Sequence, residues 1–205
     1  MLQYIRRWIL HFFINREIRR NTRVRKHVDF MEIQTVGVLF LLEDEKKFIQ
    51  LDRVIKKLVQ QGKRVKMIGF FPEKIIPNFY TQKLKIDIFT RKDMNLLGFP
   101  KKEEVKVFIK RNFDLLIDCT ENDLLPMDYI LGMSNAGFKA GRYREGMVKV
   151  LDVMIKKPEG MDFESFINSM IDYLSILNTK RAKLKSWKNE KEISGNRGCI
   201  GYTFS

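Results

Sequence analysis

The chain has 205 residues, 44% of them hydrophobic, and a formal net charge of +14. This length and apolar content accommodate one sizeable core plus extensions, and sixteen Phe with ten Met exclude a disordered middle. Two cysteines, Cys119 and Cys199, form no disulfide framework, and with His11 and His27 as the only histidines neither a C-x-x-C pair nor a His cluster offers a zinc site. A reducing compartment is the expectation, with no metal and no cofactor.

The positive charge is unevenly placed. Residues 1–29 carry Arg6, Arg7, Arg16, Arg19, Arg20, Arg23, Arg25 and Lys26 against Glu17 and Asp29, a net +6. Segment 2–28 lacks Gly and Pro and sets Leu2, Ile5, Ile9, Phe12 and Phe13 at helical spacing, which predicts a basic helical arm over residues 1–30. The apolar run Trp8–Ile14 is at the short limit for a signal-peptide core and no small-residue cleavage site follows it. It is too short to span a bilayer, and the expected location is cytoplasmic. The arm has three readings: its apolar part packs on its own domain, it contacts RNA, or it lies on an anionic membrane surface.

An α/β domain is expected over residues 31–178. Thr35–Leu42 is an apolar run of strand length, suited to burial on both faces. A helix over 46–61 follows, with Phe48, Leu51, Ile55, Leu58 and Val59 on one face and Gly62 as its stop. Val65–Phe71 is the second strand, ended by Pro72, and Ile86–Phe89 the third. Asp93 is placed to cap a turn before Leu96, and residues 101–111 form a helix with Val105, Phe108 and Ile109 inward. Phe113–Asp118 is the fourth strand. Pro126 opens a helix that ends near Gly137, and Phe138–Gly141 with Val150–Ile155 supply the last two strands. A helix over 162–178 opens on Asp162 and buries Phe166, Ile167, Met170, Ile171, Leu174 and Leu177. Strands alternating with helices imply an open, mostly parallel sheet of about six strands with helices on both faces, a Rossmann-like arrangement. Its interior strands are expected at 35–42, 65–71 and 113–118.

In such a sheet, ligands lie beyond the carboxyl ends of the strands. The first loop there, Glu43-Asp44-Glu45-Lys46-Lys47, has three acids and no glycine. It would repel a phosphate and block its approach to the backbone, so no dinucleotide is expected. A rim of Asp118, Cys119, Glu121, Arg142 and Arg144 is the best small-molecule site. Its arginines either clamp a phosphate or carboxylate, or pair with Asp118 and Glu121. Cys119 sits among carboxylates without a histidine nearby, the opposite of what a thiolate nucleophile needs. No residue qualifies as catalytic, and Asp118, Glu121 and Asp123 read as helix-capping acids more readily than as Mg²⁺ ligands.

The tail, 179–205, is basic again: Lys180, Arg181, Lys183, Lys185, Lys188, Lys191 and Arg197 outweigh Glu190 and Glu192 for a net +5. With Trp187 as a stacking surface, it suits an RNA strand. The expected nucleic-acid contacts are therefore Arg6, Arg7, Arg16, Arg19, Arg20, Arg23, Arg25, Lys26, Lys180, Arg181, Lys183, Lys185, Trp187, Lys188 and Arg197. The leading expectation is a non-enzymatic module docking on RNA or the ribosome. The alternatives are a peripheral membrane-surface protein and a degenerate phosphate- or sugar-binding domain.

Four stretches carry a resemblance: the basic arm, Thr35-Val-Gly-Val-Leu-Phe, Phe113-Asp-Leu-Leu-Ile-Asp with Leu125-Pro126, and Ala136-Gly-Phe-Lys-Ala-Gly-Arg-Tyr. Over residues 1–178 the chain resembles a bacterial family of small Rossmann-like proteins with a basic arm, a domain of unknown function. The resemblance implies a fold and no activity. Phe113 to Tyr143 is also similar to the amino-terminal half of heptosyltransferase-type glycosyltransferases. Their nucleotide-sugar-binding half has no counterpart here, which speaks against glycosyl transfer.

Overall fold

An apolar strand cannot leave its backbone groups unpaired out of water, so the runs read above must sit side by side and be covered on both faces. The computed structural model describes Arg16, residues 23–26, 29–77, 80, 86–96 and 98–176. Within it, β1 (Thr35–Leu41), β2 (Arg64–Phe71), β3 (Ile86–Thr90), β4 (Leu115–Asp118), β5 (Phe138–Arg142) and β6 (Val153–Ile155) form one sheet in the order β3-β2-β1-β4-β5-β6. Every pairing is parallel. The order reverses between β1 and β4, which makes the carboxyl ends of those two strands the switch point.

Four helices cover the sheet among the described residues: α1 (Glu45–Gln60), α2 (Glu103–Lys110), α3 (Leu125–Met133) and α4, residues 163–176. Side-chain alternation splits the core accordingly. Val36, Val38, Phe40, Leu115 and Ile117 face α1 and α4, whereas Leu39, Ile68, Phe70 and Leu116 face α2 and α3. The six positions expected at the centre, Val36, Val38, Phe40, Ile68, Leu115 and Ile117, are all buried. Gly69 is small for a specific reason. A Cβ there would stand 2.6 Å from Cζ of Phe40.

Several local expectations shift. α1 buries Val54 and leaves Val59 half exposed, because the turn angle carries position 59 off the apolar face. The first turn after β3 is capped by Thr90, with Asp93 returning the bond: its Oδ2 accepts from the Thr90 N–H at 2.8 Å. α3 ends at Met133 rather than near Gly137. Its last carbonyls, Leu131 and Gly132, accept from the buried Lys139 ammonium at 2.6 and 3.3 Å, so nothing requires another turn. Burial pulls the Lys139 amine down to about 7. β6 starts at Val153, not Val150, because Val150 and Leu151 turn inward to pack with Met147 against the α2/α3 face.

Most of the expected arm helix lies outside the described residues, as do Leu177 and the tail. Residues 23–26 are described and are not helical. They form a strap across the amino ends of β5 and β6: Lys26 N donates to Gly137 O at 2.9 Å, and the Arg23 guanidinium donates to Ala136 O, Gly137 O, Val150 O and Asp152.

Truncating Leu115 to Ala is expected to cost about 2–5 kcal/mol in urea unfolding, since the site is sealed from both faces. Gly69→Ala is expected to cost about 1–3 kcal/mol by driving a methyl into the Phe40 ring. A neutral result at both positions would contradict the packing described.

Candidate functional site

β4 and β5 end side by side, Asp118 opposite Gly141. A Cβ on Gly141 would lie 3.0 Å from that of Asp118, so glycine gives the carboxylate its room. Asp118 is 1% exposed; Oδ1 accepts from the backbone and hydroxyl of Thr120 at 3.0 and 2.7 Å, and Oδ2 pairs with Arg144. Two residues beyond β5, the Arg144 side chain is 4% exposed and spends its other terminal nitrogen on Asp128, in the first turn of α3. Burial opposes its charge, but Asp118 and Asp128 outweigh that and raise its pKa. Asp128 shows the converse. Its burial outweighs the attraction of Arg144, and the carboxyl rises to about 6.

Arg142 turns outward to Asp123 at 2.6 Å, and that carboxylate also lies 3.7 Å from Arg144. Asp123 is the exposed member, 61% open to solvent. Arg142 and Arg144 each keep a buried Nε–H with no acceptor among the described residues.

The switch point is closed by a second chain of charges. Asp44 caps α1, its Oδ1 accepting from Lys47 N at 2.7 Å, so the protein's own carboxylate sits where this fold places a ligand phosphate. The Lys47 ammonium bridges Glu43 and Glu121, the latter at 2.6 Å; Glu121 also pairs with Lys157, and Asn122 donates to Glu43 at 2.7 Å. Burial pushes Glu121 up, but hydrogen bonds from Lys157 and Lys47 hold it below its ordinary value. Among the described residues, no group of three or more His, Cys, Asp and Glu side chains is arranged to hold a metal ion.

The five rim residues do lie together, with a partial change of partners. Arg144 pairs with Asp118 as the pairing alternative required, whereas Glu121 takes lysines and Arg142 takes Asp123. Cys119 is buried, and desolvation followed by the Asp118 charge raises its thiol well above the ordinary range. Lys47, Lys157 and Asp128 were not singled out in the sequence. For Asp128 the signal was present, since it is the only charged residue in the apolar run Leu125–Met133.

Of the residues expected on nucleic acid, Arg16, Arg23, Arg25 and Lys26 are described and the others lie outside. Arg16 and Lys26 are exposed. Arg23 is committed to the domain, 7% exposed and 2.7 Å from Asp152, and Arg25 reaches Lys149 O at 2.7 Å and Asp152 at 3.5 Å. No helix among the described residues is long and apolar enough to cross a membrane.

A Rossmann-type sheet whose ligand crevice is filled by its own ion pairs defines a class by architecture rather than by chemistry. The comparisons agree: the chain belongs to DUF6913, a family of unknown function whose model matches residues 6–177, taking in arm and domain together and stopping before the tail. Among solved structures it is similar to a glycosyl transferase family 9 protein from Veillonella parvula DSM 2008, at 13% identity and a TM-score of 0.45 over 73% of this chain. It spans 43% of that protein's length. No curated protein matches.

Asp128 titrates near 3.8 unfolded and about 6 folded, so its stabilisation is full below the lower value and is lost as pH rises through the upper one. Urea unfolding should therefore show wild type exceeding Asp128→Asn by more at pH 4.5 than at pH 7. An equal difference at both would contradict the buried triad. In a Cys199→Ser background, Cys119 should resist iodoacetamide at pH 8 until urea is added; labelling of the native protein would contradict its burial.

Proposed function

We propose that the protein is a non-enzymatic α/β binding module that docks on structured RNA through its basic extensions. The observation that carries this reading is the division of charge. Eleven of the fourteen net positive charges belong to residues 1–29 and 179–205, while the rim, where this fold ordinarily holds a ligand, is neutralised from within. A polyanion gains from the first and finds no entry at the second. Arg23 does not belong to the contact set, because its donors hold the strap on the domain. The phosphate contacts fall to the remaining arm and tail residues, with Trp187 stacking on a base.

With about six phosphates neutralised, the logarithm of the association constant falls against the logarithm of salt concentration with a slope near −5. A filter-binding titration on a folded RNA hairpin, from about 50 to 200 mM salt, measures it. Binding that is salt-insensitive or weaker than micromolar overturns the reading.

A further inference from the structure

Because the sheet is all parallel, its two edges are chemically distinct: one gathers the segments that enter strands, the other those that leave them. At the entering edge lie 23–26, 29–34, 61–64, 110–114 and 148–152, which hold eight Lys/Arg against four Asp/Glu. At the leaving edge lie 42–44, 72–77, 91–102, 119–124, 143–148 and 156–162, with eight Lys/Arg against nine Asp/Glu. The sheet is therefore electrostatically polar along its strands.

Two of the four acids of the entering edge are occupied. Asp114 accepts from Thr35 N, Thr35 Oγ1 and Gln34 N at 2.8–3.1 Å, and Asp152 is taken by Arg23 and Arg25. Lys26, Arg64, Lys110, Arg111 and Lys149 are exposed, and none is ion-paired to a described carboxylate.

The strap and the end of α4 both arrive at this edge. The strap crosses it at Gly137 and Val150. α1 runs from the leaving to the entering edge, and α4 lies beside it in the same direction, Glu164 against Arg53 and Asn168 against Lys57, each at 3.1 Å. Residue 176 therefore finishes at the entering edge, on the side where residue 23 begins. Between strap and sheet a cleft of about 410 Å³ opens, lined by Arg23, Lys26, Asn112, Asp114 and Asn135 among others.

We infer that this entering edge is the docking face for RNA, with Lys26, Arg64, Lys110 and Lys149 gripping the phosphate backbone between the points where the two extensions leave the domain. The inference rests on the RNA reading above and adds to it a surface on the folded domain. Arg64 opens β2 and Lys149 precedes β6, four strand intervals apart, so the cations span about 19 Å. A cleft with amide side chains on its walls follows a nucleic-acid backbone better than it meets a flat lipid surface.

The test compares two full-length triple variants of equal charge change on a folded RNA hairpin. Arg64→Glu/Lys110→Glu/Lys149→Glu alters the entering edge, and Lys46→Glu/Lys74→Glu/Lys156→Glu alters the leaving edge. Thermal melts establish that both are folded, and the Arg64→Glu and Lys110→Glu single variants stand in if the first triple is not. The entering-edge triple should bind at least tenfold more weakly, with the salt slope reduced by about two to three; the leaving-edge triple should stay within about threefold of wild type. Equal loss, or none, in both triples overturns the docking face while RNA binding by the extensions stands. Wild type that ignores RNA overturns both proposals. Capture instead by phosphatidylserine vesicles, lost in the entering-edge triple, assigns the face to a membrane and overturns the inference as stated.

Discussion

A guanidinium removed from water must be matched by acceptors of opposite charge, and that requirement organises the strand-end rim. Leaving Arg144 buried and unpaired would cost several kcal/mol. Asp118 from β4 and Asp128 from α3 meet it, so three elements are fixed relative to one another by one side chain. Gly141 follows from the room Asp118 needs, and Thr120 from the acceptor Asp118 still has to fill. The second charge chain, through Lys47 and Glu121, applies the same rule at the switch point with cheaper, more exposed groups. Sites of this fold acquire ligands by leaving charge unmatched at that crevice. Here the matching is internal.

What could be read from the sequence follows from the range of the interactions involved. β1 was legible because its side chains are apolar on both faces, a property of consecutive residues. α1 was legible from period and cap, apart from Val59, where one turn of drift decides between core and solvent. The rim was half legible. Asp118 and Arg144 were visible as charges next to strand ends, but the choice of Lys157 rather than Arg142 for Glu121 depends on how three loops settle in space. The strap escaped altogether: a sequence run with good helix formers gives way at residues 23–26 because Arg23 finds carbonyls at the ends of β5 and β6. Tertiary partners overrode local propensity there.

The same contrast explains the polarity of the sheet. A helix starting at the leaving edge favours acids in its first turn, and one ending at the entering edge favours bases in its last, as Glu45 and Lys57 do in α1 and Glu103 and Lys110 do in α2. Helix-dipole preferences in α1 and α2 thus add to the difference between a basic entering edge and a nearly neutral leaving one. The domain's own construction prepares a face of the sign that both extensions carry.

The strap has a consequence for the order in which the molecule can be completed during vectorial synthesis. Lys139 closes the end of α3 from seven and eight residues away, almost as soon as the helix has left the ribosome. Arg23 is made well before its acceptors, which lie 113 to 129 residues downstream. Until residues 136–152 have been made, Arg23 has no seat on the domain.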